Sequence, residues 1–141
     1  MKYLKVILLS ILIGSVLSLI LLLDLKKRID NSEVVYVFQV GVFKTKENAI
    51  MYQKDFESSI TYYDNEYYRV FIAVTNNIKV KEKLMNYFDK NNIKYFIKEY
   101  SFKKKIFEFD KYNEILIKTD SSKVMYKVNS EMLKIFLSYL S

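Results

Sequence analysis

Two carboxylates, Asp64 and Glu66, stand two residues apart in the run ITYYDNEYYRVFIAV, the kind of pair in which acid–base chemistry is first sought. They read as the tip of a hairpin, where nothing is buried deeply enough to raise one pKa above the other, as a proton donor requires. The chain has no Cys and no His. That removes thiol nucleophiles, His-based triads, disulfides and thiolate or imidazole metal sites together, so the composition points away from an enzyme, with no metal and no cofactor expected. What remains is recognition chemistry. Its candidates are the amide of Gln39, the guanidinium of Arg69, the ammonium of Lys98, the rings of Tyr67, Phe71 and Phe96, and Gly41, where a ligand can approach the backbone. The 13 Tyr and 10 Phe carry little weight as totals, because A- and T-rich coding inflates both along with Lys, Ile and Asn.

These side chains need a sheet to share a face. VVYVFQVGVF, residues 34–43, is rich in β-branched and aromatic residues and reads as a strand. Thr45 offers an N-cap to a helix carrying Ala49, Tyr52 and Phe56 at helical spacing up to about Ser58. Residues 60–74 read as two strands around Asp64 and Asn65, which tolerate the left-handed backbone of a tight turn. Asn76 or Asn77 caps a second helix with Val80, Leu84, Tyr87 and Phe88 on one face, closed by Asn91 or Asn92. IKYFIKEYSF, residues 93–102, supplies a fourth strand. The order β-α-β-β-α-β predicts an α+β fold, a four-stranded antiparallel sheet with both helices on one face. Strand alternation then sends Tyr36, Phe38, Val40 and Val42 toward the helices with Tyr68, Val70, Ile72 and Val74. The other face receives Gln39, Gly41, Tyr67, Arg69, Phe71, Ala73, Lys94, Phe96, Lys98 and Tyr100.

Ahead of this domain, Val6–Leu23 is a run of 18 residues without a charge, ~27 Å as a helix and close to the hydrocarbon thickness of a bilayer. It predicts a retained signal anchor over residues 1–25; a cleaved signal peptide fits less well, because the run is long and no A-x-A site follows. Residues 26–33 form a short connector, and the stretch from Asp24 to Glu33 spans at most ~35 Å. Basic residues on both sides of the span, with a slight excess after it, do not fix orientation. Of the 23 basic residues only Lys2 and Lys5 precede the span, so the remainder carries about +5, suited to anionic lipid, wall polymer or nucleic acid.

The run Phe38-Gln39-Val40-Gly41-Val42-Phe43 followed by Lys46-Glu47-Asn48-Ala49 resembles the opening of the SPOR domain family, and Tyr67-Tyr68-Arg69-Val70 falls where that family has its second signature. The resemblance covers residues 34–102. The chain differs at Val42, where Ser is usual, and at Ala73-Val74-Thr75, where Gly-Pro-Phe is usual. The resemblance implies a septal peptidoglycan-binding module that reads glycan strands stripped of stem peptides. It further implies a single-pass membrane protein with the domain outside the cell, acting in cell division or sporulation. Gln39, Gly41, Tyr67, Arg69, Phe71, Phe96 and Lys98 are then the glycan-binding residues. Four of them have a plainer reading too: Gln39 as a solvated amide, Gly41 as a bulge, Tyr67 as hairpin packing and Arg69 as a surface ion pair.

Residues 103–141 follow as a helical C-terminal extension, opening on Lys103-Lys104-Lys105. A short helix fits 107–118, and Ser121 or Ser122 caps a longer one with Met125, Val128, Met132, Leu133, Phe136, Leu137 and Leu140 as its apolar stripe. Packing on the domain is the expectation. A helix laid over the open face blocks glycan and moves the function toward a membrane-proximal adaptor that docks a division or sporulation partner. RNA recognition modules also expose aromatics on such a sheet, but EYYRVFIAV lacks their K/R-G-F/Y-G/A-F pattern, so nucleic acid is not an expected partner.

Overall fold

The computed structural model describes residues 13–23 and 32–141. Residues 13–23 are helical (α1), with Ile13, Val16, Leu17 and Leu19 to Leu23 exposed. The expected span Val6–Leu23 lies outside the described residues as far as residue 12, as does the connector before Ser32. Among the described residues no helix is long and apolar enough to cross a membrane, so the expected transmembrane helix finds no support there. The chain divides into two units, residues 1–32 with 103–105, and residues 33–102 with 106–141.

The second unit holds β1 (Glu33–Phe43), α2 (Lys46–Gln53), β2 (Ile60–Tyr63), β3 (Tyr68–Thr75), α3 (Ile78–Lys90), β4 (Phe96–Phe102), α4 (Glu108–Lys118) and α5 (Ser122–Leu140). Its four strands form one antiparallel sheet in the order β2-β3-β1-β4. The expected α+β fold, with one four-stranded antiparallel sheet and the element order β-α-β-β-α-β over residues 33–102, is present. Local chemistry sets the boundaries. Thr45 Oγ1 accepts from the Asn48 N–H, Asn77 Oδ1 accepts from Lys79 and Val80, and Ser121 Oγ caps α5 at Val124. Asn65 (φ 72°) turns the hairpin and Asn92 (φ 56°) ends the segment after α3, both in the left-handed region that Asn tolerates.

Two irregularities decide which face each strand residue occupies. The β1–β3 register slips between Phe38 and Gln39 and again between Gln39 and Gly41. The first leaves Ile72 of β3 without an opposite residue and the second Val40 of β1, so each inverts the alternation on its own strand. Tyr36 and Phe38 meet the helices as expected, Phe38 lying 5.4 Å from the Phe88 ring and Lys81 Nζ 4.1 Å over Tyr36. Past the slips, Gly41 pairs with Val70 and turns toward α2, whereas Val42 pairs with Arg69 and is exposed. Ala73 now pairs with Phe38 and Val74 with Val37, the reverse of the alternation predicted for them.

The outer face is not left open. β2 pairs with β3 only as far as Phe71, and α5 packs against β3 more than against any other strand. α5 starts beside α3, where Tyr126 and Tyr87 hydroxyls stand 2.8 Å apart. Its far end lies over the outer face, where the Phe136 ring sits 5.1 Å from Tyr100, 6.1 Å from Phe102 and 6.2 Å from Phe71. Met125, Val128, Met132, Leu133 and Phe136 are buried in a core shared with Val35, Val37 and Phe71. Burying those five side chains is worth roughly 10 kcal/mol at most. Sheet and C-terminal helices therefore form one packed body.

α4 closes one end of the sheet. Asn113 Oδ1 accepts from the buried Thr75 hydroxyl at 2.7 Å, its Nδ2 donates to Asn76 Oδ1, and Glu33 accepts from the Ile106 N–H at 2.6 Å. Lys83 of α3 donates to the Ile117 and Thr119 carbonyls at the C-terminus of α4, where a cation suits the helix dipole.

Candidate functional site

With Phe136 seated on the outer face, the exposed part of that face is the half nearer the hairpin. β1 contributes Gln39 and Val42 to it, β2 Tyr62, β3 Arg69, and β4 Phe96 and Lys98. The pairings Gln39–Phe96, Val42–Arg69 and Tyr62–Arg69 place these side chains together, and Lys98, opposite Val37, follows Phe96 two residues along β4. Phe96 is 64% exposed, an aromatic face without a lid.

The polar members are held rather than free-swinging. Arg69 Nη1 donates to Gln39 Oε1 at 3.1 Å, and its Nε pairs with the Asp64 carboxylate. Asp64 Oδ1 in turn accepts from the backbone N–H groups of Tyr67 (2.8 Å) and Glu66 (3.2 Å). The Tyr67 N–H is the largest cause, with Arg69 and the Glu66 N–H adding to it against a cost of burial, of a carboxyl pKa lowered from 3.8 to about 2. A turn residue thus fixes a guanidinium, which fixes an amide. Gln39 spends its carbonyl on Arg69, so its Nε2 is the group it presents as a donor to a ligand. Lys98 reaches back 5.0 Å over the Tyr100 ring. Among the described residues no His, Cys, Asp and Glu group of three or more is placed to hold a metal.

Four of the seven expected site residues, Gln39, Arg69, Phe96 and Lys98, come together on this half-face. Tyr67 sits just before β3 in the turn, half-buried, with its hydroxyl pKa pushed up by Glu66. Phe71 is not available: it is fully buried, stacked 6.1 Å from Tyr62 and capped by Phe136. Gly41 is on the helix face. A Cβ there meets the Phe43 ring at 2.5 Å and Tyr52 at 3.2 Å, so its smallness admits an aromatic ring of the protein itself rather than a ligand. Asp64, Tyr62 and Val42 belong to the site without having been singled out for it. A signal for Asp64 was present, since residues 64 and 69 flank a tight turn and can meet across it.

Comparisons with known proteins add no family to this geometry: the chain matches no family model, no curated protein and no solved structure. What fold and site define is a class, an α+β module with one half-open sheet face carrying an exposed aromatic beside a held guanidinium and amide.

Proposed function

We propose that the chain is a non-catalytic binding module, held at the membrane by its apolar N-terminal stretch, that takes up glycan strands of peptidoglycan on the uncovered half of the sheet. The carrying observation is Phe96, 64% exposed and paired across the sheet with Gln39, whose carbonyl is held by Arg69. A pyranose ring offers an apolar C–H face to an aromatic ring, while its hydroxyl and acetamido groups need neutral and cationic donors at fixed positions. Asp64, ionised down to about pH 2 and tied to Arg69, is no proton donor, which supports binding without catalysis. The SPOR-like motifs supply the class of ligand, with a role in division or sporulation and the domain outside the cell.

The test is co-sedimentation of the full chain, kept in solution by mild detergent, with purified sacculi before and after amidase removal of stem peptides. Phe96→Ser and Lys98→Ala change exposed or half-exposed side chains, and each is expected to weaken pelleting several-fold with the fold intact. Amidase treatment is expected to increase it. Absence of pelleting by folded protein refutes the reading. It then favours a second one, an adaptor that docks a division or sporulation protein, motivated by α5 having taken the half of the face around Phe71.

A further inference from the structure

β1 begins, and β3 and β4 finish, at one end of the sheet, where Glu33 pairs with Phe102 and Tyr36 with Thr75. The Asn113–Asn76 and Glu33–Ile106 hydrogen bonds, both 2.6 Å, hold the starts of α3 and α4 there as well. Both starts carry a large apolar side chain in solvent. Ile78, the first residue of α3, is 60% exposed, and Phe107, immediately before α4, is 71% exposed. Neither belongs to the core stripes of these helices, which are Val80, Leu84 and Phe88 in α3 and Phe109, Asn113 and Leu116 in α4.

Their neighbours in sequence include several lysines. Lys79 follows Ile78, Lys81 being held over the Tyr36 ring, and in sequence Lys103-Lys104-Lys105 links Phe102 to Ile106. The carboxylates at this end have partners within the protein: Glu33 accepts from Ile106 and Asn76, Glu108 accepts from the Tyr139 hydroxyl at 3.2 Å, and Asp110, in the first turn of α4, is also engaged. Apolar side chains flanked by lysines suit the surface of an anionic bilayer, the rings and aliphatic groups entering the headgroup boundary while the ammonium groups meet lipid phosphates. Chain length argues for the same partner. Only residues 24–32 separate Leu23, at the end of the uncharged run, from Glu33, a reach of ~35 Å at most.

We propose that this end of the second unit is a docking surface for an anionic lipid bilayer, with Ile78 and Phe107 entering the headgroup region. The surface is distinct from the sheet face of the preceding section and leans on the anchor reading only for proximity to lipid. Docking there points the hairpin at Asn65, at the opposite end of the strands, away from the membrane.

The chain has no cysteine, so Lys79→Cys and Glu66→Cys each accept a single nitroxide label, one at the docking end and one at the hairpin. The full chain is reconstituted with phosphatidylglycerol vesicles and, separately, with phosphatidylcholine vesicles. Retention after an alkaline wash reports the apolar stretch alone. Collision of the label with lipid-dissolved oxygen, against a water-soluble nickel chelate, reports docking. On phosphatidylglycerol, the label at 79 is expected to favour oxygen and the label at 66 the chelate. Phe107→Ser shifts position 79 back toward water, and Lys103→Gln with Lys104→Gln lowers the docking equilibrium constant by about five-fold per lysine. Circular dichroism checks that each variant remains folded. Equal collision profiles at 79 and 66 in retained protein overturn the proposal. If the wash strips the chain from both vesicle types, the anchor reading fails; docking must then appear as co-sedimentation selective for phosphatidylglycerol and lost in Phe107→Ser, and its absence overturns the proposal equally.

Discussion

Replacing Phe136 by Ala tests whether α5 truly closes half of the sheet face. The ring is fully buried and makes edge-on contacts with Phe71, Tyr100 and Phe102 at centroid distances of 5.1–6.2 Å. Truncating a buried Phe costs about 3–5 kcal/mol through lost transfer energy and the cavity left behind. Aromatic pairs add about 0.5–1.5 kcal/mol beyond area, which puts the expected loss near the upper end, about 4 kcal/mol. A domain of this size holds about 5–15 kcal/mol in all, so the variant is expected to fold but to be strongly weakened. With a urea slope of about 2 kcal/mol per molar, the midpoint falls by about 2 M. The chain has no Trp, so unfolding of the full chain in detergent is followed by near-ultraviolet circular dichroism of its 13 tyrosines. A loss below about 1 kcal/mol with an unchanged slope refutes the enclosure of residue 136 and returns Phe71 to the list of groups a ligand can touch.

Asp64 makes stability depend on acid. Its folded pKa, about 2, lies below the ordinary 3.8, so its contribution is present above 3.8 and lost as pH falls toward about 2. The pair with Arg69 is partly solvated, so the contribution is about 1 kcal/mol, read as a change in urea midpoint that Asp64→Asn largely abolishes. Gly41→Ala drives a methyl group into the Phe43 ring and close to Tyr52; it is expected to cost about 1–3 kcal/mol in thermal unfolding while leaving glycan pelleting of the folded fraction unchanged.

Much of the architecture was legible in local chemistry. Thr45, Asn77 and Ser121 stand out in the sequence as N-caps, or as one of two candidates, because a short polar side chain before an apolar period can satisfy the free backbone N–H groups of a first helical turn. The hairpin at Asn65 and the stripe Val80, Leu84, Phe88 follow from equally short-range rules. The fourth strand begins later than residue 93, since Ile93 and Tyr95 are spent closing the turn after α3 and packing on Phe88. Site membership was only half legible. Alternation gave Gln39, Arg69, Phe96 and Lys98 correctly relative to one another but misplaced Gly41 and Val42, because the slips around Gln39 arise from pairing with β3, and the one mark on the β1 sequence, Gly41, fits a bulge and a ligand contact equally well.

By itself the sequence determined the elements, the absence of thiol and imidazole chemistry, and an amphipathic C-terminal helix that had to bury one side. Each depends on residue type and on spacing along the chain, quantities that exist before folding. Only the tertiary structure decided where that helix goes. β2 is short and its pairing with β3 stops at Phe71, α5 packs against β3, and Phe136 lands on the outer face. Which half of the sheet stays open to a ligand is therefore a consequence of contact between residues 65 positions apart, Phe71 and Phe136, and no local pattern encodes it.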